Sequence, residues 1–202
     1  MFDNAAKQLL DPWLDRLGKA MAARRISANA VTIAGLALGC VAGAFIALEY
    51  WQAGLLFIGL SRLCDGLDGA VARATAKTDF GAYLDIVLDF AFYGLIPLAF
   101  AFANPAQNAV AAALLLLSFY FNGASFLAFA VIAEKRGLPQ EARGRKSFLF
   151  TTGLAEASET LAVFVAMCLF PQWFASLAIV FAAMVFCTGL SRILLARNKF
   201  GT

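Results

Sequence analysis

The sequence predicts an all-α membrane protein: six transmembrane helices preceded by an N-terminal amphipathic helix lying in the membrane interface. Three observations carry this expectation. The chain has 202 residues, of which 62% are hydrophobic and only 14% charged, where a soluble domain carries about 25% charged residues. Its mean hydropathy is +0.78. Six apolar runs, at about 29–49, 53–73, 80–103, 106–133, 148–170 and 172–195, each come near the roughly 20 residues that cross a bilayer as a helix. The length suits one domain over 1–202.

Residues 1–22 read as the interfacial helix rather than a signal peptide, because they lack a long apolar centre and carry Asp3, Asp11 and Asp15. Phe2, Ala6, Leu9, Leu10, Trp13, Leu17 and Met21 recur at helical spacing, with Asp3, Lys7, Asp15, Arg16 and Lys19 largely opposite. Ser27 and Asn29 can cap the first span. Its Gly35, Gly39 and Gly43 recur every fourth residue and allow close backbone approach, to another helix of this chain or to a second copy in a homodimer. Pro97 falls inside the third span, and the fourth is the longest; Pro105 and Pro171 punctuate turns.

Charge distribution sets the orientation. Lys7, Arg16, Lys19, Arg24 and Arg25 precede the first span, Arg73 and Lys77 follow the second, and Lys135, Arg136, Arg143, Arg145 and Lys146 follow the fourth; Arg197 and Lys199 follow the last. The alternate loops near Gln52, Asn104 and Gln172 carry no lysine or arginine. By the positive-inside rule both termini face the cytoplasm, in the inner membrane if the cell is bacterial. The net charge of +3 is modest, and membrane lipids rather than nucleic acid are the expected surroundings. Cys40, Cys64, Cys168 and Cys187 lie in apolar runs without metal-ligand or redox spacing. With no histidine present, a zinc site is disfavoured, whereas carboxylates suit magnesium, manganese or calcium.

Against this apolar background stands Asp65-Gly66-Leu67-Asp68-Gly69-Ala70-Val71-Ala72-Arg73, followed by Gly81, Asp85 and Asp89. Ionisable groups at membrane depth are functional candidates by default. Asp65 and Asp68 are three residues apart on one helix face, and Gly81, Asp85 and Asp89 follow at intervals of four. Two antiparallel helices joined by a short cytoplasmic loop bring both faces together. Four carboxylates alone would repel one another; two divalent ions remove that conflict and can clamp a phosphoryl group. Gly69 and Gly81 leave room for a bulky nucleotide, and Arg73 can neutralise phosphate oxygens. Asp89, deepest in the third span, is the natural general base. Acids lining a proton or cation path are the alternative, but such a path needs neither the glycines nor the arginine.

These residues resemble the signature of the CDP-alcohol phosphatidyltransferases, D-x-x-D-G-x-x-A-R, a short spacer, then G-x-x-x-D-x-x-x-D. Asp65, Asp68, Gly69, Ala72, Arg73, Gly81, Asp85 and Asp89 all fit, and the spacer, 74–80, is one residue shorter than the commoner form. The resemblance implies two Mg2+ or Mn2+ ions held by Asp65, Asp68 and Asp85, with Asp89 as ligand and base. It implies a CDP-linked lipid bound by Arg73, Gly69 and Gly81 together with Asn29, Thr32 and Thr78. An acceptor hydroxyl would attack the phosphorus nearest the lipid and release CMP. The expected enzyme transfers a phosphatidyl group from CDP-diacylglycerol to a small hydroxyl acceptor, glycerol 3-phosphate first and an inositol phosphate next. A CDP-choline or CDP-ethanolamine type acting on diacylglycerol is the alternative within the family, and a cation-coupled transporter the alternative outside it.

Further polar residues lie in the apolar runs. Arg62, Arg192, Glu156 and Glu159 are expected to pair with one another within the membrane, since burying any of them alone is expensive. The other reading places Glu156, Glu159 and Arg192 in the acceptor pocket. Arg143, Arg145 and Lys146 are the candidates for an anionic acceptor at the membrane surface, or for anionic lipid.

Overall fold

The computed structural model describes residues 2–137 and 157–201, with side chains from Asp11 onward. These residues form helices and no strands: α1 (Phe2–Ala23), α2 (Ala28–Ala47), α3 (Trp51–Ala74), α4 (Asp79–Ala103), α5 (Pro105–Lys135), α6 (Ala157–Leu169) and α7 (Phe174–Phe200), with a 3₁₀ turn at Pro171–Trp173. The expected start of the fifth span, with Arg143, Arg145, Lys146 and Glu156, lies outside the described residues.

Local chemistry explains the boundaries. Ser27 caps α2, its side chain accepting from the Ala30 amide at 3.2 Å. α1 and α2 end alike. Arg25 (φ 60°) and Glu49 (φ 64°) adopt the left-handed conformation just past each helix. The following amides, of Ile26 and Tyr50, donate back to Met21 and Phe45 at 3.1 and 2.8 Å, the double-bonded termination usually given to glycine. Such sharp stops keep the next helix antiparallel after a short connection. Asn104 opens α5 by accepting from the Gln107 amide at 3.2 Å, and Pro105 follows as its first residue.

Among the described residues, four helical stretches are long and apolar enough to cross a membrane: Ala28–Ala47, Asp79–Ala103, Pro105–Lys135 and Pro171–Phe200. α3 has the length, at 24 residues, but carries Arg62, Asp65, Asp68 and Arg73. α6 has 13 described residues, fewer than a bilayer needs. The expected second span therefore coincides with a helix whose charges remove it from the apolar set.

α2 packs on α3 and α4, α1 lies on α3, and α5 pairs with α7 while meeting α4. In lipid, apolar burial gives little drive between helices, so close packing and polar pairs decide the arrangement. The small-residue face of α2 does this work inside the chain. A β-carbon at Gly35 would stand 3.2 Å from Cys64 Cβ, at Gly39 2.7 Å from Phe92 Cδ2, and at Gly43 3.1 Å from Leu95 Cγ. Aromatic rings fill the opposite end of the bundle. Trp51, Phe100 and Phe174 form a stack with centroids 5.4 and 4.5 Å apart, joining the start of α3, the end of α4 and the start of α7. That end is closed by rings; the other end holds the polar cleft.

Candidate active site

The cleft forms where side chains from the second half of α3 and the first half of α4, both packed on α2, face one another. Their link, 75–78, is fixed at both sides. Thr75 Oγ1 donates to the Val71 carbonyl at 2.9 Å, and Thr78 Oγ1 accepts from the Gly81 amide at 3.0 Å as the cap of α4. The N-terminus of α4, the positive end of its dipole and a place where anions are favoured, lies on the same helix before the cleft-lining Asp85.

Thr32, Gly35, Leu36, Ser61, Arg62, Asp65, Asp68, Asp85, Leu88 and Asp89 line the cleft. One carboxylate oxygen from each of Asp65, Asp68 and Asp85 falls within 4.8 Å of the others. Asp68 is buried, 6% exposed, and its Oδ2 has no hydrogen-bond partner. A buried carboxylate oxygen without a donor is strongly disfavoured, and a hard divalent cation between these three groups satisfies it. The donor set therefore fits a divalent metal.

The fourth carboxylate is held differently. Asp89 Oδ1 accepts from Arg62 Nη1 at 2.7 Å, and the same nitrogen stands 3.4 Å from Asp65 Oδ1. The Arg62 guanidinium lies 3.8 Å over the Phe92 ring, a favourable cation–π distance. Its Nη2 donates to Ser61 Oγ at 3.4 Å, and Ser61 in turn donates to the Gly35 carbonyl at 2.7 Å. The expected pairing of Arg62 with a glutamate is thereby corrected: its ion pairs are with the signature aspartates, on its own helix and on α4. The spacing of three between Arg62 and Asp65 was the available signal, since it places both on one helix face.

The other expected site residues fall around this centre. The Asn29 side chain meets the start of α4, for a β-carbon at Gly81 would lie 3.1 Å from Asn29 Oδ1 and 3.0 Å from Thr78 Oγ1. A side chain there would need both oxygens to give by a few tenths of an ångström. A β-carbon at Gly69 would lie 3.4 Å from Arg73 Nη1. Arg73 gives Nε and Nη2 to Asp15 Oδ1 at 3.2 and 2.7 Å, a contact the sequence reading did not foresee. Arg192 and Glu159 are not among the residues lining the cleft. Arg192 Nη1 donates to Asn122 O, Asn122 Oδ1 and Ser125 Oγ of α5 at 3.0, 2.9 and 2.8 Å; its expected partner Glu156 lies outside the described residues. Ser158 donates to Glu159 at 3.0 Å.

Known proteins match this arrangement. The CDP-alcohol phosphatidyltransferase family matches residues 25–190. An inner membrane protein, YnjF, of Escherichia coli (strain K12) is 42% identical over 193 residues, 96% of this chain and 94% of that protein. An archaetidylinositol phosphate synthase of Pyrococcus horikoshii is 35% identical over 77 residues, 38% of this chain and 41% of its own. The fold is similar to that of the Mycobacterium tuberculosis phosphatidylinositol phosphate synthase solved with CDP-DAG bound, with a TM-score of 0.73, 20% identity, and coverage of 91% of this chain and 93% of that one.

Proposed function

The chain belongs to the CDP-alcohol phosphatidyltransferase family and is an integral membrane enzyme of phospholipid synthesis, and from that premise we propose that it moves the phosphatidyl group of CDP-diacylglycerol to a small hydroxyl acceptor and releases CMP. The observation that carries the reading is the Asp65–Asp68–Asp85 convergence with the unpartnered Asp68 Oδ2. Asp65, Asp68 and Asp85 would hold Mg2+ or Mn2+, two ions once Asp89 also contributes, within one domain of six spans and an interfacial α1. Divalent ions there would offset the carboxylate charge and stabilise developing charge on the phosphate oxygens.

The chain's own groups then have separate tasks. Arg73 and the N-terminus of α4 hold pyrophosphate oxygens, Gly69 and Gly81 keep space for the nucleotide, and Asn29, Thr32 and Thr78 offer hydrogen bonds to it. Asp89, oriented by Arg62, accepts the proton of the acceptor hydroxyl. That oxygen bonds to the phosphorus nearest the lipid, the bond from this phosphorus to the bridging oxygen breaks, and CMP departs with that oxygen. The positive-inside bias supports a cleft opening to the cytoplasm.

A phosphorylated acceptor is the favoured class. Arg192 is a half-buried cation whose described hydrogen-bond partners are neutral, and such a cation suits an anionic oxygen; Glu159, with Glu156, Arg143, Arg145 and Lys146, completes the candidate acceptor set. Glycerol 3-phosphate and inositol phosphate are the two compounds of first choice, the second strengthened by the archaeal relatives' names. The test is CMP release from CDP-diacylglycerol by the purified protein in detergent, with Mn2+ or Mg2+ or with EDTA, against a panel of polyols, their phosphates, serine and choline. Metal-dependent CMP with a phosphorylated acceptor is expected. No CMP with any acceptor would reject the reading, and release with choline alone would reject the acceptor class.

A further inference from the structure

We propose that Asp15, on the N-terminal helix and outside the matched family region, is a positioning residue that holds the Arg73 guanidinium over Gly69 for the CDP-lipid pyrophosphate. The inference rests on the reading of Arg73 given above.

Three observations meet here. The first is the shape of the ion pair. Asp15 Oδ1 takes the Nε and Nη2 of Arg73 at 3.2 and 2.7 Å. This fixes one edge of a planar fork and leaves Nη1 outside the pair. Nη1 lies against Gly69, where a β-carbon would stand 3.4 Å away. The arginine is therefore gripped from the α1 side and presents its third nitrogen on the side of the signature glycine. A guanidinium held this way loses less freedom on binding phosphate than one swinging on a four-bond stem.

The second observation is how α1 is seated. A β-carbon at Gly18 would come within 2.7 Å of the Ala70 carbonyl carbon and 2.9 Å of its oxygen, so the two backbones touch and no other residue fits without a shift. One turn earlier, Leu14 Cδ1 would lie 3.1 Å from a β-carbon at Gly66. Asp15 lies within one turn of Gly18 and Arg73 within one turn of Ala70, and the long arginine side chain spans the offset along the seat to reach the carboxylate at 2.7 Å.

The third observation is exposure. Both side chains of the pair are 46% exposed. Ion pairs this open contribute little to stability. The glycine seat holds α1 in place, and the bridge's consequence falls on the geometry of Arg73. Trp13 and Leu17 flank Asp15 on α1 and are 65% and 50% exposed, as expected of a helix whose outer side meets lipid. A helix on the membrane surface thus sets the orientation of a phosphate-binding side chain at the end of α3.

The test is a double-mutant cycle on CDP-diacylglycerol affinity, measured by titration of the purified protein in detergent with Mn2+ present; this needs no acceptor. Asp15→Ala is expected to weaken binding about tenfold, Asp15→Glu to recover most of the loss, and Arg73→Ala to weaken binding at least as much. Asp15→Ala with Arg73→Ala should bind no worse than Arg73→Ala alone, the signature of a residue acting through its partner. Gly18→Leu, which unseats α1, should reproduce the Asp15→Ala loss. Additive losses in the double variant would overturn the proposal, as would wild-type affinity in Asp15→Ala beside weakened binding in Arg73→Ala. Wild-type affinity in Arg73→Ala would instead remove the underlying reading of Arg73. Melting temperatures of all variants in the same detergent separate misfolding from weakened binding.

Discussion

Arg62 on α3 and Arg192 on α7 are both cations, and they are satisfied in opposite ways. Arg62 faces carboxylates of α3 and α4 inside the cleft, over the ring of Phe92. Arg192 faces a carbonyl, an amide oxygen and a hydroxyl of α5. The first environment couples opposite charges and leaves two polar atoms, Arg62 Nε and Asp68 Oδ2, without hydrogen bonds. The second matches one cation with neutral dipoles on a facing helix. The first pattern surrounds the carboxylates proposed to hold a cation, and the second ties α7 to α5 beside the candidate acceptor set.

The comparison can be sharpened by substitution. The largest effect is expected from Asp89→Asn, which keeps a hydrogen-bond acceptor for Arg62 while removing the base. CMP release should fall about 10²–10⁴-fold, the range for loss of a general base, with the melting temperature in detergent close to wild type. Unchanged turnover would assign the base elsewhere. Arg62→Leu comes next. It leaves Asp89 and Asp65 without their cation, and because these carboxylates are about a third exposed, at 33% and 36%, the expected loss is about 2 kcal/mol, below the range for a fully buried pair. Thermal melts with and without Mn2+ check this, and added metal should recover part of the loss by supplying positive charge.

Arg192→Met should act more weakly on the fold, about 1 kcal/mol, since it removes hydrogen bonds to neutral partners. Its readout is the KM for a phosphorylated acceptor, which should rise while the KM for CDP-diacylglycerol stays put. Equal effects on both substrates would erase the distinction between the two environments. The smallest change lies outside both. Glu49→Gly relieves a left-handed backbone position at the end of α2 (φ 64°) and should raise stability by about 0.5–1 kcal/mol, seen as a slightly higher melting temperature and unaltered activity.

Much of this was legible in the chain. The cap at Ser27, the punctuation at Pro105 and Pro171, and the glycine face of α2 are local features with local signals. The convergence of Asp65, Asp68 and Asp85 followed from helical spacing and a short link. Long-range pairing was not legible. Arg62 meets Asp89 across 27 positions, Asp15 meets Arg73 across 58, and Arg192 meets Asn122 across 70. Periodicity places a residue on a helix face but does not say which helix lies opposite. That gap is why the ion pairs of Arg62 with Asp65 and Asp89 were not foreseen. Hydropathy also fails on α3, because the residues that carry the chemistry are the ones that make it look less like a span.

The central claim is that Asp65, Asp68 and Asp85 form a divalent metal site. Its most direct test is Mn2+ binding followed by electron paramagnetic resonance on the detergent-solubilised protein, wild type beside Asp68→Asn, without lipid substrate. Saturable binding in the wild type, lost or greatly weakened in Asp68→Asn, is the expected result. Equal binding by both proteins, or none by the wild type, would contradict it.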